Sequence, residues 1–133
     1  MCNTYNVLVV DDSKLVVERI LEILRELDCI TLADKANNFT EAEVLLAKEK
    51  YDVALLDINL PGRNGIELLS FIKANYPAMK IIMLSNQSDD YYRNLCHRLG
   101  SDSFIDKTSE FENIPQNILH YYNDLVAASQ PIK

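Results

Sequence analysis

The sequence predicts an α/β fold, a parallel sheet with helices packed on both faces. Two observations predict it. Strand and helix signals alternate five times between Tyr5 and Ala127. Three of the strand segments are unbroken apolar runs: Val7-Leu8-Val9-Val10, Val53-Ala54-Leu55-Leu56 and Ile81-Ile82-Met83-Leu84. A strand covered on both faces reads this way, whereas a strand with one wet face alternates apolar and polar residues. Strand–helix alternation at this spacing also implies right-handed crossovers, because a twisted strand and its following helix pack back onto the sheet only in that hand.

The elements follow in order. The first strand spans about Tyr5 to Val10. Ser13 caps a first helix whose apolar face is Val16, Ile20, Ile23, Leu24 and Leu27. The second strand is placed at Cys29 to Lys35. Asn38, with Glu41 three residues on, resembles a capping box for a second helix that turns Ala42, Leu45 and Leu46 inward. The third strand is Val53 to Leu56. Pro61-Gly62-Arg63-Asn64-Gly65 is a turn, with Gly65 where a side chain would crowd. The third helix carries Ile66, Leu69, Phe71 and Ile72 and stops before Pro77. The fourth strand is Met79 to Leu84. Ser88 caps the fourth helix, Asp89 and Asp90 suit the positive end of its dipole, and Gly100 ends it. Helical spacing turns Tyr92 and Cys96 inward. The fifth strand is Ser103 to Ile105. Pro115 fits the first turn of a helix but not its interior, so the last helix runs from about Asn113 to Ala127 and Thr108 to Glu112 form a loop or short turn.

The 133 residues suffice for one domain with its own core, about residues 5–127, leaving residues 128–133 as a frayed tail. Hydrophobic residues make up 48% and charged residues 25%, ordinary for a soluble globular chain. A net charge of −7 argues against direct nucleic-acid binding, which needs clustered Lys and Arg. Cys2, Cys29 and Cys96 are an odd number without metal spacing and read as reduced thiols in a cytoplasmic protein. No apolar stretch approaches the ~18 residues that span a bilayer, and the N-terminus lacks the basic segment of a signal peptide.

The chemistry-bearing residues stand at strand ends, and in an open parallel sheet the site lies beyond those carboxyl ends. The first run ends in Asp11-Asp12. One acid would suffice to cap a helix, and Ser13 already serves for that. Two adjacent carboxylates repel each other, so a cation relieves them; Mg²⁺ characteristically takes only one or two protein carboxylates and keeps several waters. The second run ends in Asp57. It is readable as a turn residue, but the dry approach Ala54-Leu55-Leu56 puts it at the rim of the sheet. There a carboxylate can attack phosphorus to give an aspartyl phosphate, with a cation neutralising attacking and leaving oxygens. Ser85 alone is an ordinary turn residue and Lys107 alone an ordinary surface charge. Opposite three carboxylates, Lys107 is a phosphate partner.

These residues carry a family likeness. Val9-Val10-Asp11-Asp12-Ser13, Leu55-Leu56-Asp57-Ile58-Asn59-Leu60-Pro61-Gly62-Arg63-Asn64-Gly65, Met83-Leu84-Ser85 and Leu99-Gly100-Ser101-Asp102-Ser103-Phe104-Ile105-Asp106-Lys107 together resemble the receiver domain of two-component response regulators, from about Tyr5 to Val126. The resemblance implies a flavodoxin-like three-layer fold with sheet order 2-1-3-4-5. It implies Asp57 as phosphoacceptor, charged by a sensor histidine kinase or a phosphotransfer protein. Asp12, Asp57 and the backbone carbonyl of Asn59 would ligate Mg²⁺ (or Mn²⁺), and Asp11 would act through water. Lys107 would pair with the phosphoryl oxygens. Ser85 would reach for the phosphate while Phe104, the switch aromatic or else a plain core residue, turns inward. Asn59, Asn86 and Gln87 match lifetime-tuning positions. The fourth helix, fifth strand and fifth helix would be the partner face, with Tyr91, Leu95, Arg98, Tyr121 and Tyr122 as candidates for binding a downstream protein or a second copy. Such a chain is a signalling acceptor rather than an enzyme with its own substrate. It would be a stand-alone receiver or one domain of a longer regulator, without nucleic-acid or membrane contact of its own.

Two departures stand out. Many receivers have Lys-Pro with a cis bond at the fifth strand's end, where this chain has Lys107-Thr108. A cis bond without proline costs ~2.5–4 kcal/mol, so the loop is either trans or held under strain. Asn86 is larger than the small residue usual after the switch Ser. Three rival readings fit the residues less well. A haloacid-dehalogenase-type phosphatase needs a second acid two residues past its nucleophile, where this chain has Asn59. A flavin binder would not set Asp11-Asp12 against a phosphate. A degenerate receiver that binds a partner without phosphorylation would rest only on Asn86 and Thr108.

Overall fold

A computed structural model describes residues 4–86 and 90–129. Five strands, β1 (Asn6–Val10), β2 (Leu32–Ala36), β3 (Val53–Asp57), β4 (Lys80–Ser85) and β5 (Ser103–Asp106), pair in parallel in the order β2-β1-β3-β4-β5. Helices α1 (Lys14–Arg25), α2 (Phe39–Lys48), α3 (Gly65–Asn75), α4 (Asp90–Arg98) and α5 (Ile114–Ser129) alternate with them. This is the predicted flavodoxin-like architecture and sheet order.

The pleat divides the apolar runs between two cores. Val7, Val9, Val53, Leu55, Ile82 and Leu84 pack beneath α1 and α5 against Val17, Ile20, Leu24, Ile114 and Ile118. Leu8, Val10, Ala54, Leu56, Ile81 and Met83 pack on the other face against Ala42, Leu46, Leu68, Leu69 and Ile72 of α2 and α3, with Cys96 of α4. An unbroken apolar run is what a strand with two dry faces requires.

Several boundaries and faces shift from the sequence reading. β2 begins at Leu32, three residues later than expected, because Ile30 N–H closes a turn onto Leu27 O and Thr31 N–H meets Tyr5 O before pairing starts. In α1, Val17 rather than Val16 is fully inward, since 17, 20 and 24 form the stripe's centre while Val16, Ile23 and Leu27 flank it. In α3, Leu68 joins the buried set and Ile66 and Phe71 are half-buried. A single 3-10 turn, Phe111–Asn113, occupies part of the predicted loop, and α5 continues through Ala128 and Ser129, two residues beyond the end expected from the sequence. Ser88 and Asp89, the proposed start of α4, lie outside the described residues, as do Gln87 and residues 130–133.

The capping residues do what their chemistry suggests. Ser13 Oγ accepts from Val16 N–H, Asn38 Oδ1 from Glu41 N–H at 2.9 Å, and Asn64 Oδ1 from Glu67 N–H at 2.9 Å. Glu41 reaches back to Asn37 N–H rather than to that of Asn38, so the box closes one residue early. Replacing Asn38 by Ala is expected to lower stability by ~1 kcal/mol in urea denaturation, through one orphaned helix N–H.

Candidate functional site

Three strand ends meet at one edge of the sheet. β1 delivers Asp11, fully buried, whose N–H donates to Ala36 O and whose Oδ1 accepts from Ser13 N–H at 2.8 Å. Asp12, the next residue, is exposed. β3 ends in Asp57, 3% exposed, whose Oδ1 accepts from Asn59 N–H at 3.2 Å. β5 leads into Lys107, buried, whose backbone N–H donates to Ser85 O at 2.7 Å. Its ammonium lies 2.6 Å from Asp11 Oδ2 and 3.2 Å from Asp57 Oδ1. One carboxylate oxygen from each of Asp11, Asp12 and Asp57 lies within 4.8 Å of the others.

The electrostatics are unbalanced. Burial pushes the Asp57 carboxyl up to about 6, the charge of Asp11 pushes it the same way, and Lys107 and the Asn59 N–H only partly offset them. Asp11 Oδ2 is buried, and the Lys107 ammonium lies 2.6 Å from it. Three carboxylates against one ammonium, with an exposed acid at the mouth, suit a hard divalent cation that takes oxygen ligands. Asp11, Asp12 and Asp57 could hold it.

Ser85 ends β4 and is 3% exposed. Phe104 on β5 is half-buried, with the Arg93 guanidinium 4.7 Å from its ring centre. Asn59 and Asn86 are exposed beside the site. Of the proposed partner face, Tyr91 and Arg98 are exposed and Leu95 half-buried. Tyr121 does not belong to that surface: it is 8% exposed, packs in the α1–α5 core and hydrogen-bonds Ser103 Oγ. Tyr122 is half-buried edge-on to Tyr5. Both tyrosines help cover the sheet, and Tyr121 keeps little surface for a partner.

The Lys107–Thr108 bond is trans, since the described residues contain no cis peptide. A tight turn serves instead. Asp106 Oδ1 accepts from Thr108 N–H at 2.8 Å and from Thr108 Oγ1 at 2.6 Å. The sequence assigns no role to Asp106, Glu110 or Arg93, and marks Thr108 only as the residue standing in place of proline. Asp two residues before Thr was the signal available, because Asp characteristically bonds the backbone two residues on.

A cavity of about 560 Å³ lies at the other end of the sheet, lined by Tyr51, Tyr76, Met79 and Leu125 among others.

The family model for the response regulator receiver domain matches residues 7–119. The chain belongs to that family. As a receiver domain it has relatives among transcriptional regulators: it is 33% identical over 116 residues to the transcriptional regulatory protein MalR of Bacillus subtilis, covering 87% of this chain and 49% of MalR. The chain spans about half the length of the curated relatives it matches first. Among solved structures, the isolated receiver domain of RcsB from Salmonella enterica with the phosphomimetic BeF₃⁻ superposes with a TM-score of 0.85 at 22% identity, over 91% of this chain and 90% of that one. A chain of the CheX–CheY–BeF₃–Mg²⁺ complex from Borrelia burgdorferi gives 0.80 at 27% identity, over 89% of each. Among the described residues no helix is long and apolar enough to cross a membrane.

Proposed function

We propose that this receiver takes a phosphoryl group onto Asp57 from a phosphohistidine of a sensor kinase or phosphotransfer protein. The observation that carries this reading is the Lys107 ammonium set between two buried carboxylates, 3.2 Å from Asp57, with exposed Asp12 at the mouth. An Asp57 carboxylate oxygen attacks phosphorus as the P–N bond breaks. The electron pair returns to the imidazole nitrogen, which is protonated from water. Mg²⁺ (or Mn²⁺), held by Asp12, Asp57 and the Asn59 carbonyl with Asp11 acting through water, would neutralise charge on the transferring group. Lys107 stabilises the phosphoryl oxygens, and its removal is expected to slow phosphorylation about 100-fold or more, as read by phosphoprotein accumulation from acetyl phosphate.

The product carries roughly two further negative charges. Ser85 moves toward them, Phe104 follows into the space, and the α4–β5 surface around Tyr91, Leu95 and Arg98 changes shape for a downstream protein or a second copy. Asn59, Asn86 and Gln87 set how long the phosphoryl group lasts. The chain acts as a cytoplasmic signalling acceptor and catalyses only its own phosphorylation and dephosphorylation, with any DNA contact left to other parts of a longer regulator.

The test is a beryllofluoride titration with Mg²⁺, followed by amide NMR. Saturable shifts near Asp57, Ser85, Phe104 and α4 that vanish in Asp57→Asn support the reading. Equal shifts in that variant, or none in the wild type, overturn it.

A further inference from the structure

β5 is an edge strand, so its outward peptide groups lack a neighbouring strand. Two side chains supply one. Phe104 O accepts from Arg93 Nη1 at 3.3 Å, Asp106 N–H donates to Glu110 Oε1 at 2.8 Å, and Arg93 Nη2 closes the ring onto the same Glu110 oxygen at 3.1 Å. The ion pair stands where the next strand's carbonyl and amide would stand. Asp106 is held at its N–H by Glu110, at its carbonyl by Glu110 N–H at 2.8 Å, and at its Oδ1 by Thr108 N–H and Oγ1.

Lys107 lies between these anchors. Its own N–H is fixed to Ser85 O, so its backbone is held from both sides and its ammonium starts from one defined origin. A lysine has a long stem with many rotamers, and the position of its Cα decides which oxygens it reaches. We infer that Asp106 and Glu110 are positioning residues for Lys107, fixing by side-chain hydrogen bonds the loop that proline fixes in many receivers. The inference rests on the reading that Lys107 serves phosphorylation of Asp57. Arg93 extends the same clamp to α4 and lies over Phe104, so the helix of the output face and the phosphoryl-binding lysine share one hydrogen-bonded unit.

The experiment compares wild type, Asp106→Ala, Asp106→Asn and Glu110→Ala. Acetyl phosphate in saturating Mg²⁺ gives the phosphorylation rate, a Mg²⁺ titration gives the half-saturating concentration, and hydrogen exchange in the metal-free protein reads the Lys107 amide. Asp106→Ala is expected to slow phosphorylation about tenfold or more, since displacement of a reacting group by an ångström costs up to ~100-fold. Its Lys107 amide exchanges faster, while the Mg²⁺ requirement stays as in wild type because the proposed metal-binding acids are untouched. Asp106→Asn keeps the acceptor oxygen and recovers most of the rate. Glu110→Ala follows Asp106→Ala, and decides the matter if Asp106→Ala does not fold. Wild-type phosphorylation at Asp57 with unchanged rates and exchange in the Ala variants overturns the inference alone. Absence of phosphorylation at Asp57 in the wild type overturns the functional reading and the inference with it.

Discussion

In metal-free buffer at neutral pH, Asp57→Asn is expected to melt above the wild type while accepting no phosphoryl group. Asp57 is buried beside Asp11, and one ammonium serves both carboxylates. Removing the Asp57 charge leaves Lys107 paired with Asp11 and relieves a buried surplus. The sign follows from the raised carboxyl, ordinarily near 3.8 and here about 6. Well below pH 4 the group is protonated in folded and unfolded chains alike, and its burial costs nothing through charge. Between pH 4 and 6 the unfolded chain ionises first, so the wild type loses stability relative to the variant. Above pH 6 the full penalty stands. Two pK units correspond to ~3 kcal/mol. The site opens to solvent at exposed Asp12 and Asn59, and screening there reduces this to about 1 kcal/mol, or roughly 3–4 °C in Tm. Mg²⁺ should reverse the order by stabilising the wild type through mass action. Thermal melts from pH 4 to 8, with EDTA and then with Mg²⁺, check all of this. A wild type that remains the more stable protein in EDTA at pH 7.5 would show that Lys107 fully balances the two carboxylates.

The same edge shows what the sequence makes legible. Asp11, Asp57 and Ser85 are readable because each ends an apolar run that must be a strand, Asp12 and Lys107 because they follow just past strand ends, and a parallel sheet gathers those ends at one edge. Contacts made across sequence distance were not readable. Arg93 and Glu110 are ordinary charges in the sequence and become one unit only when α4 lies along β5. Tyr121 and Tyr122 have the composition of an interface hot spot, yet the sheet needs their rings as cover. β2 was misplaced because Cys29-Ile30-Thr31 is as apolar as the strand itself, and backbone bonds to Leu27 and Tyr5 decide where pairing begins. Periodicity finds faces and ends; it does not rank residues that compete for the same position.

Gly65 offers the sharpest separation of space from backbone conformation. It is the first residue of α3, and its N–H donates to Ile58 O at 2.9 Å. A Cβ there would lie 1.9 Å from Asp57 O, 2.7 Å from Asp57 C and 2.9 Å from Ile58 Cα. All three are backbone atoms of the segment that carries the proposed phosphoacceptor. No side chain can swing away, so Gly65→Ala must push α3 or the end of β3. Overpacking typically costs 1–3 kcal/mol, and with no soft neighbour about 3 kcal/mol is expected here. The displacement falls on Asp57, so phosphorylation should drop together with stability. Gly62 is the control. Its φ of +75° suits glycine, yet nothing lies within 4 Å of the added carbon. Gly62→Ala should therefore cost only about 1–2 kcal/mol of backbone strain and leave the phosphorylation rate near that of wild type. Urea denaturation and acetyl phosphate kinetics on the two variants separate the causes. Equal losses of stability with unchanged rates in both would mean that the β3–α3 junction yields without moving Asp57. A rate lost only in Gly65→Ala would show that this glycine is required because the helix must pass within van der Waals contact of the Asp57 carbonyl.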